Sequence, residues 1–310
     1  KINEGGCIDK YFYIFIIQDI KMEWKNLTID DKEIIDEFTK GKFITCDYNF
    51  TNLYLWSQGE KATYAIENNV LIVRGLYEGK YYYFMPVPRS LEYLDNAKEI
   101  IKNLLNEKAQ IILVPEKWKN YLENSFILEE RRDSFDYVYS LESLAYLKGR
   151  KYSKKKNRVN NFMKTYNYTY EKITSENINE VLEFQGDWCH DKSCEIIPVL
   201  RNEDIGIHNI LNHFDKLGVK GGMLKVDGKV IAYSLGESLD DEYVVIHIEK
   251  GLNEYIGSYQ MINMMFLQNE FKDYKFVNRE DDFGDLGLRE AKESYHPLEL
   301  LKKYEIVGVK

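Results

Sequence analysis

Three consecutive strand-like runs in the C-terminal half constrain the fold more than any other feature of this sequence. They span Gly222–Val226, Lys229–Glu237 and Glu242–Glu249, and only short connections separate them. The pair Asp227-Gly228 between the first two runs is typical of a two-residue β-hairpin turn. The three runs therefore predict a sheet in which neighbouring strands follow one another directly along the chain.

Helical and strand-like patterns surround these three runs. Helical patterns carry apolar residues three and four positions apart, whereas strand patterns are short, β-branched and bounded by turn residues. Together they predict an α/β (α+β) class, with a mixed twisted sheet flanked by helices. The predicted elements are a strand at Thr169–Ile173, helices at Ser175–Trp188 and Asp204–Leu217, a helix at Gly257–Phe271, a strand at Lys275–Arg279, a helix at Leu286–Ser294 and a last strand at Glu305–Val309.

The N-terminal half has a similar order of elements, which predicts a duplicated unit of two tandem lobes. We place the lobes at residues 22–145 and 168–310, with a connector at 146–167 and an extension at 1–21 outside the first lobe. The predicted elements of the first half are helices at Thr28–Phe38, Phe50–Ser57 and Leu91–Asn106, with strands at Thr63–Ile66, Val70–Arg74, Tyr81–Val87, Gln110–Val114 and Phe135–Tyr139.

Composition agrees with two globular lobes and excludes several other classes. The chain has 310 residues, 44% of them hydrophobic, which argues against disorder. The most apolar early run, Tyr11–Ile17, is far shorter than the roughly 20 residues that a membrane-spanning helix needs. No cleavage site for a secretory signal follows it. We therefore predict a cytoplasmic protein, with peripheral membrane contact left open.

The four cysteines contain no C-x-x-C pair, so we predict free and mostly buried thiols. The alternative is a metal site formed by Cys189, His190 and Cys194. That site lacks a fourth ligand and a second close pair of ligands. No metal is therefore predicted.

The strand Glu242–Glu249 contains the first candidates for chemistry. Strict alternation would put His247 and Glu249 on one face, and Ile246 and Ile248 on the other. We predict catalytic roles for His247 and Glu249, one of them as general base. The residues that follow could bind an anion or a carbonyl oxygen, because a helix start exposes unpaired N–H groups. They are Lys250, Gly257 and Ser258.

A second group of candidates follows the strand that ends near residue 279. Asn278 and Glu280 would share a face and complete the predicted catalytic set. A cationic stripe follows them, because Arg289, Lys292 and His296 would fall on one side of a helix. Such a stripe is typical of a site for an acidic ligand or a phosphate. The alternatives are a core histidine and ordinary surface ion pairs. The predicted anion-binding residues here are Arg279, Arg289, Lys292 and His296.

One strongly basic segment joins the predicted lobes, in a chain whose net charge is −9. No acidic residue occurs between Ser143 and Tyr170. Such a segment can contact a polyphosphate or tRNA, or can simply be a solvated stretch. Its candidate contacts are Lys148, Arg150, Lys154, Lys155, Lys156 and Arg158.

Three strings together identify a family resemblance: 147–158 (LKGRKYSKKKNR), 245–251 (VIHIEKG) and 278–297 (NREDDFGDLGLREAKESYHP). From about Asp30 onward, the chain resembles a bacterial family of unknown function. That family is named for its similarity to the C-terminal soluble domain of phosphatidylglycerol lysyltransferases. The resemblance implies a tandem pair of GNAT-like lobes, with the active cleft in the C-terminal lobe.

The resemblance also implies an acyl- or aminoacyltransferase, with acyl-CoA or aminoacyl-tRNA as donor and no certain cofactor. Full lysyltransferases have an Asp and an Arg near the strand end where this chain has His247 and Lys250. The coenzyme A pattern also differs, because Glu254 and Tyr259 occupy positions that favour Arg or Gln and a small residue. The alternatives are a coenzyme A-dependent N-acetyltransferase and a non-catalytic binding module on the same fold.

Overall fold

A computed structural model of the protein describes residues 22–310, so the predicted extension at 1–21 lies outside the described residues. The described chain forms two mixed sheets, each flanked by helices, which confirms the predicted α/β class. None of the helices within residues 22–310 is both long and apolar enough to cross a lipid bilayer.

The first sheet and its helices come mainly from the N-terminal half. Local sequence signals predicted this half well. The helix predicted at Phe50–Ser57 has those bounds, and the Asn49 side chain caps it by accepting hydrogen bonds from the Thr51 and Asn52 amides. The elements are β1 (Lys25–Asn26), α1 (Lys32–Thr39), α2 (Phe50–Ser57), β2 (Thr63–Glu67), β3 (Val70–Tyr77), β4 (Lys80–Phe84), β5 (Val87–Pro88), α3 (Leu94–Asn106), β6 (Gln110–Pro115), α4 (Glu116–Leu122) and β7 (Phe126–Glu130).

The remaining elements follow in the C-terminal half. The hairpin predicted at Asp227-Gly228 is present, with Val226 paired to Lys229. The elements are β8 (Asp136–Ser140), α5 (Leu141–Tyr146), α6 (Ser153–Thr165), β9 (Tyr168–Lys172), α7 (Ile178–Lys192), α8 (Pro198–Asn212), α9 (Phe214–Leu217), β10 (Lys220–Val226), β11 (Lys229–Ser238), β12 (Tyr243–Gly251), α10 (Ser258–Glu270), β13 (Phe276–Asn278), α11 (Leu286–Glu293), β14 (Glu299–Leu301) and β15 (Lys303–Val309).

The two lobes exchange one strand each. The first sheet has the order β1-β2-β3-β4-β6-β15-β7, and the second has β14-β8-β13-β12-β11-β10-β9. The strand predicted at Phe135–Tyr139 to close the first lobe thus lies in the second sheet, and that predicted at Glu305–Val309 lies in the first. Those two placements were wrong, because periodicity marks a strand as buried but does not name its partners. The boundaries at 145 and 168 stay predictions.

β12 and β13 diverge in the second sheet, and the gap between their ends is called the cleft below. These parallel strands pair over three positions only, ending at Val245 and Asn278, although β12 continues to Gly251. On its other side β12 contains a bulge, since Ile246 and Ile248 oppose two consecutive residues of β11 and leave His247 over. The strands therefore separate just where the candidate residues begin.

One hydrophobic core extends through both lobes. It includes Phe38 of α1, Ile207 of α8 and Tyr233 of β11, all fully buried. Helices α2 and α8 cross closely at Gly206, where an added side-chain carbon would lie 1.9 Å from the carbonyl oxygen of Leu55. The lobes are thus packed as one body around shared apolar side chains.

The cysteine prediction needs a correction. Cys189 and Cys194 form a disulfide, so they are not free thiols. Cys189 lies in the last turn of α7, and Ser193 takes a left-handed conformation (φ +56°) that turns the chain back and brings the two Cα atoms to 5.1 Å. Cys46 is the free and buried cysteine among the described residues, and Cys7 lies outside them.

Candidate active site

His247 and Glu249 lie on opposite faces of the second sheet. Ile246 packs beside Phe266 in the core under α10, whereas Ile248 packs in the core shared by the two lobes. The bulge at His247 shifts the alternation by one residue. The predicted shared face was therefore wrong: Glu249 faces α10, and His247 faces the first lobe.

His247 lies between two carboxylates, Glu237 and Glu280, and this group at the boundary between the lobes is called the seam below. Its Nδ1 lies 2.9 Å from Glu280 Oε1 and its Nε2 lies 3.1 Å from Glu237 Oε1. Burial opposes the charged form, but the hydrogen bonds and charges of the two carboxylates raise the pKa of His247 to about 9. An imidazolium has no free lone pair, so this arrangement does not suit a general base at neutral pH.

This arrangement predicts a pH dependence of stability. The pKa of His247 is about 9 in the folded protein, against an ordinary value of 6.5. Its contribution is therefore fully present below pH 6.5 and is lost as the pH rises through 9. We expect urea midpoints of the wild type to fall between pH 6.5 and 9, and those of His247→Gln to be nearly constant there. An equal fall in both proteins would contradict the assignment.

Asn278 and Glu280 also belong to this seam. Asn278 Nδ2 donates to the carbonyl oxygen of Ile44 and to Asp136 Oδ2, each at 2.8 Å, and its Oδ1 accepts from the Glu280 amide at 2.7 Å. Asn52 of α2 donates to Glu280 Oε1 at 3.0 Å. Both side chains thus join the lobes, and their contacts do not suit the catalytic roles predicted for them.

A buried ion cluster marks the point where the exchanged strands cross. Lys303 of β15 is fully buried, and its Nζ lies 2.6 Å from Asp136 Oδ1 of β8 and 2.7 Å from Asp47 Oδ2. The side chains of Cys46, Asp47 and Asp136 come close enough to hold a metal ion. The Lys303 ammonium already provides the positive charge that such a group of ligands requires.

Two predicted anion-binding residues, Arg289 and Lys292, instead hold the segment after β13 in place. Arg289 binds both oxygens of Asp282 (2.8 and 2.9 Å) and also Asp133 Oδ1 at 2.8 Å. Lys292 donates to the carbonyl oxygens of Arg279, at 2.6 Å, and of Asp281. The ring of His296 lies 3.3 Å from a carbonyl oxygen in the basic segment. Arg289 and Lys292 are thus neutralised or capped within the fold, which does not suit anion binding, and the role predicted for the exposed His296 stays a prediction.

The other predicted anion-binding positions are also engaged. Lys250 is buried, with its Nζ 2.6 Å from Glu203 and 4.3 Å from the ring centre of Trp188. Gly257 is the residue before α10, with φ +98°, and a side-chain carbon added there would lie 2.7 Å from the carbonyl oxygen of Arg158. Ser258 Oγ donates to the Leu252 carbonyl at 3.0 Å. Helix α6 thus packs directly against the start of α10.

Glu249 and Arg279 bridge the cleft. Glu249 Oε1 lies 2.8 Å from Arg279 Nη2, and its other oxygen accepts from Asn263 Nδ2 at 3.0 Å. The Arg279 guanidinium lies 4.9 Å from the ring centre of Tyr295 and 5.9 Å from that of Tyr139. Its Nη1 is buried and has no hydrogen-bond partner in the described part of the chain. A buried donor without such a partner can take a ligand atom as its acceptor.

Asn263 was missed by sequence reasoning. It is an amide between Ile262 and Met264, in the middle of a helix with an apolar buried side. A polar residue at such a position needs a partner, so it could have been recognised as a contact of the cleft. The sequence did not say which side chain it would meet.

The basic segment reaches the same cleft through α6. Lys155 Nζ donates to Ser294 Oγ at 2.8 Å and lies 4.0 Å from the ring centre of Tyr295, the ring that also stacks on Arg279. Burial and then the charges of Arg158 and Arg279 lower the pKa of Lys155. Lys148 pairs with Glu142 at 2.8 Å. The other predicted contacts are exposed: Arg150, Lys154, Lys156 and Arg158.

Comparison with known proteins matches residues 39–307 to the family model "Phosphatidylglycerol lysyltransferase, C-terminal". A protein of unknown function from Bacteroides thetaiotaomicron is 32% identical, with a TM-score of 0.82, covering 93% of this chain and 100% of that one. The structure of L-PGS from Bacillus licheniformis shares the fold at 13% identity, with a TM-score of 0.60 and coverage of 89% and 91%.

An uncharacterized protein of Mycoplasmoides gallisepticum is 25% identical over 224 residues, which is 69% of this chain and 70% of that protein. The range matched by the family model contains the second sheet, the cleft, the basic segment, and the first sheet except for β1 and the end of β15. The predicted architecture of two lobes, each with a mixed sheet flanked by helices, is confirmed, and the chain belongs to the family of phosphatidylglycerol lysyltransferase C-terminal domains.

Proposed function

We propose that the protein transfers an acyl or aminoacyl group to an amine or hydroxyl acceptor in the cleft between β12 and β13. The observation that carries this proposal is the Glu249–Arg279 pair across the cleft, with one guanidinium nitrogen unpartnered. Of the four predicted catalytic residues, Glu249 alone contacts the cleft. The family supports a transferase-like fold, and the chemistry is our inference from the site.

The proposed reaction uses these two side chains in different roles. The acceptor nitrogen or oxygen attacks the carbonyl carbon of a donor ester or thioester, and the C–O or C–S bond to the leaving group breaks. Glu249 takes the proton of the attacking group and passes it to the leaving oxygen or sulfur. Arg279 Nη1 donates to the oxygen that becomes negative in the transition state. Asn263 positions the Glu249 carboxylate.

The basic segment favours an aminoacyl-tRNA as donor. Exposed cations of α6 at Lys154, Lys156 and Arg158 lie in a stretch with no acidic residue, in a chain that is acidic overall. Such a surface suits a polyphosphate backbone. Coenzyme A is less well supported, because α6 packs against the start of α10, where the N–H groups of a helix would otherwise meet a pyrophosphate.

Single-turnover assays with charged tRNA and with acyl-CoA, each with a panel of amine and hydroxyl acceptors, test the proposal. We expect Glu249→Gln to lower the transfer rate by about 10²–10⁴-fold, because a neutral amide cannot accept the proton. Glu107→Gln is the control, since Glu107 is exposed just after the end of α3, in the other lobe. An unchanged rate in Glu249→Gln would overturn the role of Glu249.

The same assays separate the alternatives. If tRNA is the donor, Lys154→Ala with Lys156→Ala should weaken tRNA binding and reduce its salt dependence, while the rate at saturation stays the same. Transfer from acyl-CoA alone would favour the acetyltransferase. Binding of charged tRNA without transfer to any acceptor would favour a non-catalytic module.

A further inference from the structure

A cavity lies between the lobes, on the face of the second sheet opposite α10. It has a volume of about 610 Å³ and is lined by residues of α1, the start of α2 and the hairpin that joins β11 to β12. Glu237 of its lining lies three residues along β11 from Ser234, the pairing partner of Glu249, but Glu249 points to the opposite face of the sheet, towards α10. This interlobe cavity is thus separate from the cleft, within the size range of small-molecule sites.

The wall of the interlobe cavity has an excess of negative charge. Its described lining contains four carboxylates against two ammonium groups, and Asp36 already neutralises Lys32 at 2.6 Å. Glu237 enters the wall from β11, Asp240 and Asp241 enter it from the hairpin, and Asp241 is exposed. Charge complementarity therefore favours a cation.

Hydrogen bonding within the fold holds one of these carboxylates, Glu237, in place. Glu237 is held by His247 Nε2 at 3.1 Å, and the same imidazole is held by Glu280 at 2.9 Å. The imidazolium carries one positive charge and the two carboxylates carry two negative charges, so these three side chains together keep one negative charge unbalanced. Because Glu237 also lines the cavity, this charge faces the space that a ligand would fill.

The walls suit an organic cation better than a bare metal ion. Aromatic side chains of both lobes line the cavity, among them Phe50 and Tyr274. The Lys32 Nζ lies 5.6 Å from the ring centre of Phe50, so an ammonium group already uses one of these rings. Within residues 22–310, the group of potential metal ligands close enough to share an ion lies elsewhere, at Cys46, Asp47 and Asp136.

We propose that the interlobe cavity binds a small organic cation with a primary ammonium group, held by Glu237 and Asp241 against the aromatic wall. The proposal does not rest on the transfer reaction, since neither residue contacts the cleft. Because both lobes line the cavity, a bound cation contacts both and stabilises their docking. It should therefore raise the melting temperature of the whole chain.

Calorimetric titration of the full protein with butane-1,4-diamine tests this site, with butane-1,4-diol as the neutral isostere. We expect one saturable site for the diamine, a rise in melting temperature, and no binding of the diol. Asp241→Asn should weaken binding about tenfold, because an exposed carboxylate can be neutralised without disturbing the core. Glu107→Gln, an exposed acid just after the end of α3, is the control.

Glu237→Gln should weaken diamine binding at least as much as Asp241→Asn, and circular dichroism checks that it folds. The proposal is overturned if the diol binds as tightly as the diamine, if both variants bind the diamine like wild type, or if MgCl₂ at equal ionic strength gives the same heat and thermal shift. Transfer activity is not read in any arm, so this test and that of the cleft fail independently.

Discussion

Replacing Lys303 by methionine should destabilise the protein by about 3–5 kcal/mol. The ammonium is fully buried between Asp136 Oδ1, at 2.6 Å, and Asp47 Oδ2, at 2.7 Å. Methionine fills a similar volume but leaves both carboxylates without their cation, and burial already raises the pKa of Asp47 to about 6. Urea unfolding followed by circular dichroism would measure the loss.

Lys302→Met is the matched control for this prediction. Lys302 is the neighbouring residue, and its Nζ forms an exposed pair with Glu130 at 2.7 Å. Exposed pairs contribute about 0–1 kcal/mol, so this variant should remain close to wild type. Adding Asp136→Asn to Lys303→Met should cost less than the two single changes together, since the unpaired charge is then removed. Equal losses in the two lysine variants would contradict the buried cluster.

Gly206→Ala should destabilise the protein by about 3 kcal/mol, although alanine is the better helix former. The added carbon would lie 1.9 Å from the carbonyl oxygen of Leu55 and 2.7 Å from its carbonyl carbon, and backbone atoms of a helix cannot move aside cheaply. Helices α2 and α8 would have to separate, which opens the core shared by the lobes. The same urea experiment measures this loss.

Gly186→Ala in α7 provides the opposite expectation. No atom lies within 4 Å of the carbon that this substitution adds, and Gly186 is exposed. Alanine should therefore stabilise the protein by about 0.5–1 kcal/mol, through helix propensity alone. If Gly206→Ala behaved like Gly186→Ala, the close crossing of α2 and α8 would be wrong.

Both large effects arise where the two lobes meet. β8 and β15 have each left their own half of the chain, and Lys303 binds Asp136 where they cross. The interlobe cavity and the His247 seam lie on the same boundary. Stability of the whole chain and ligand binding between the lobes should therefore change together.

Much of the candidate site was predictable one residue at a time. Glu249 and Arg279 were both expected near the diverging strand ends, and the structure joins them at 2.8 Å. Asn278 and Arg289 were chosen by the same reasoning, yet each is bound within the fold. Residue type and spacing indicate that a side chain needs a partner, but they do not distinguish a ligand from a neighbouring residue.

The sequence by itself determined the elements whose signals are local, such as the hairpin at Asp227-Gly228 and the helix at Phe50–Ser57. Turn residues, caps and apolar periodicity act within a few positions, so they can be read without knowing the fold. Only the tertiary structure decided the strand exchange, the bulge at His247 and the Cys189–Cys194 disulfide. Each of these depends on which other segment of the chain packs alongside. The periodicity of apolar residues indicates that a side chain is buried, but it does not identify the residues that bury it.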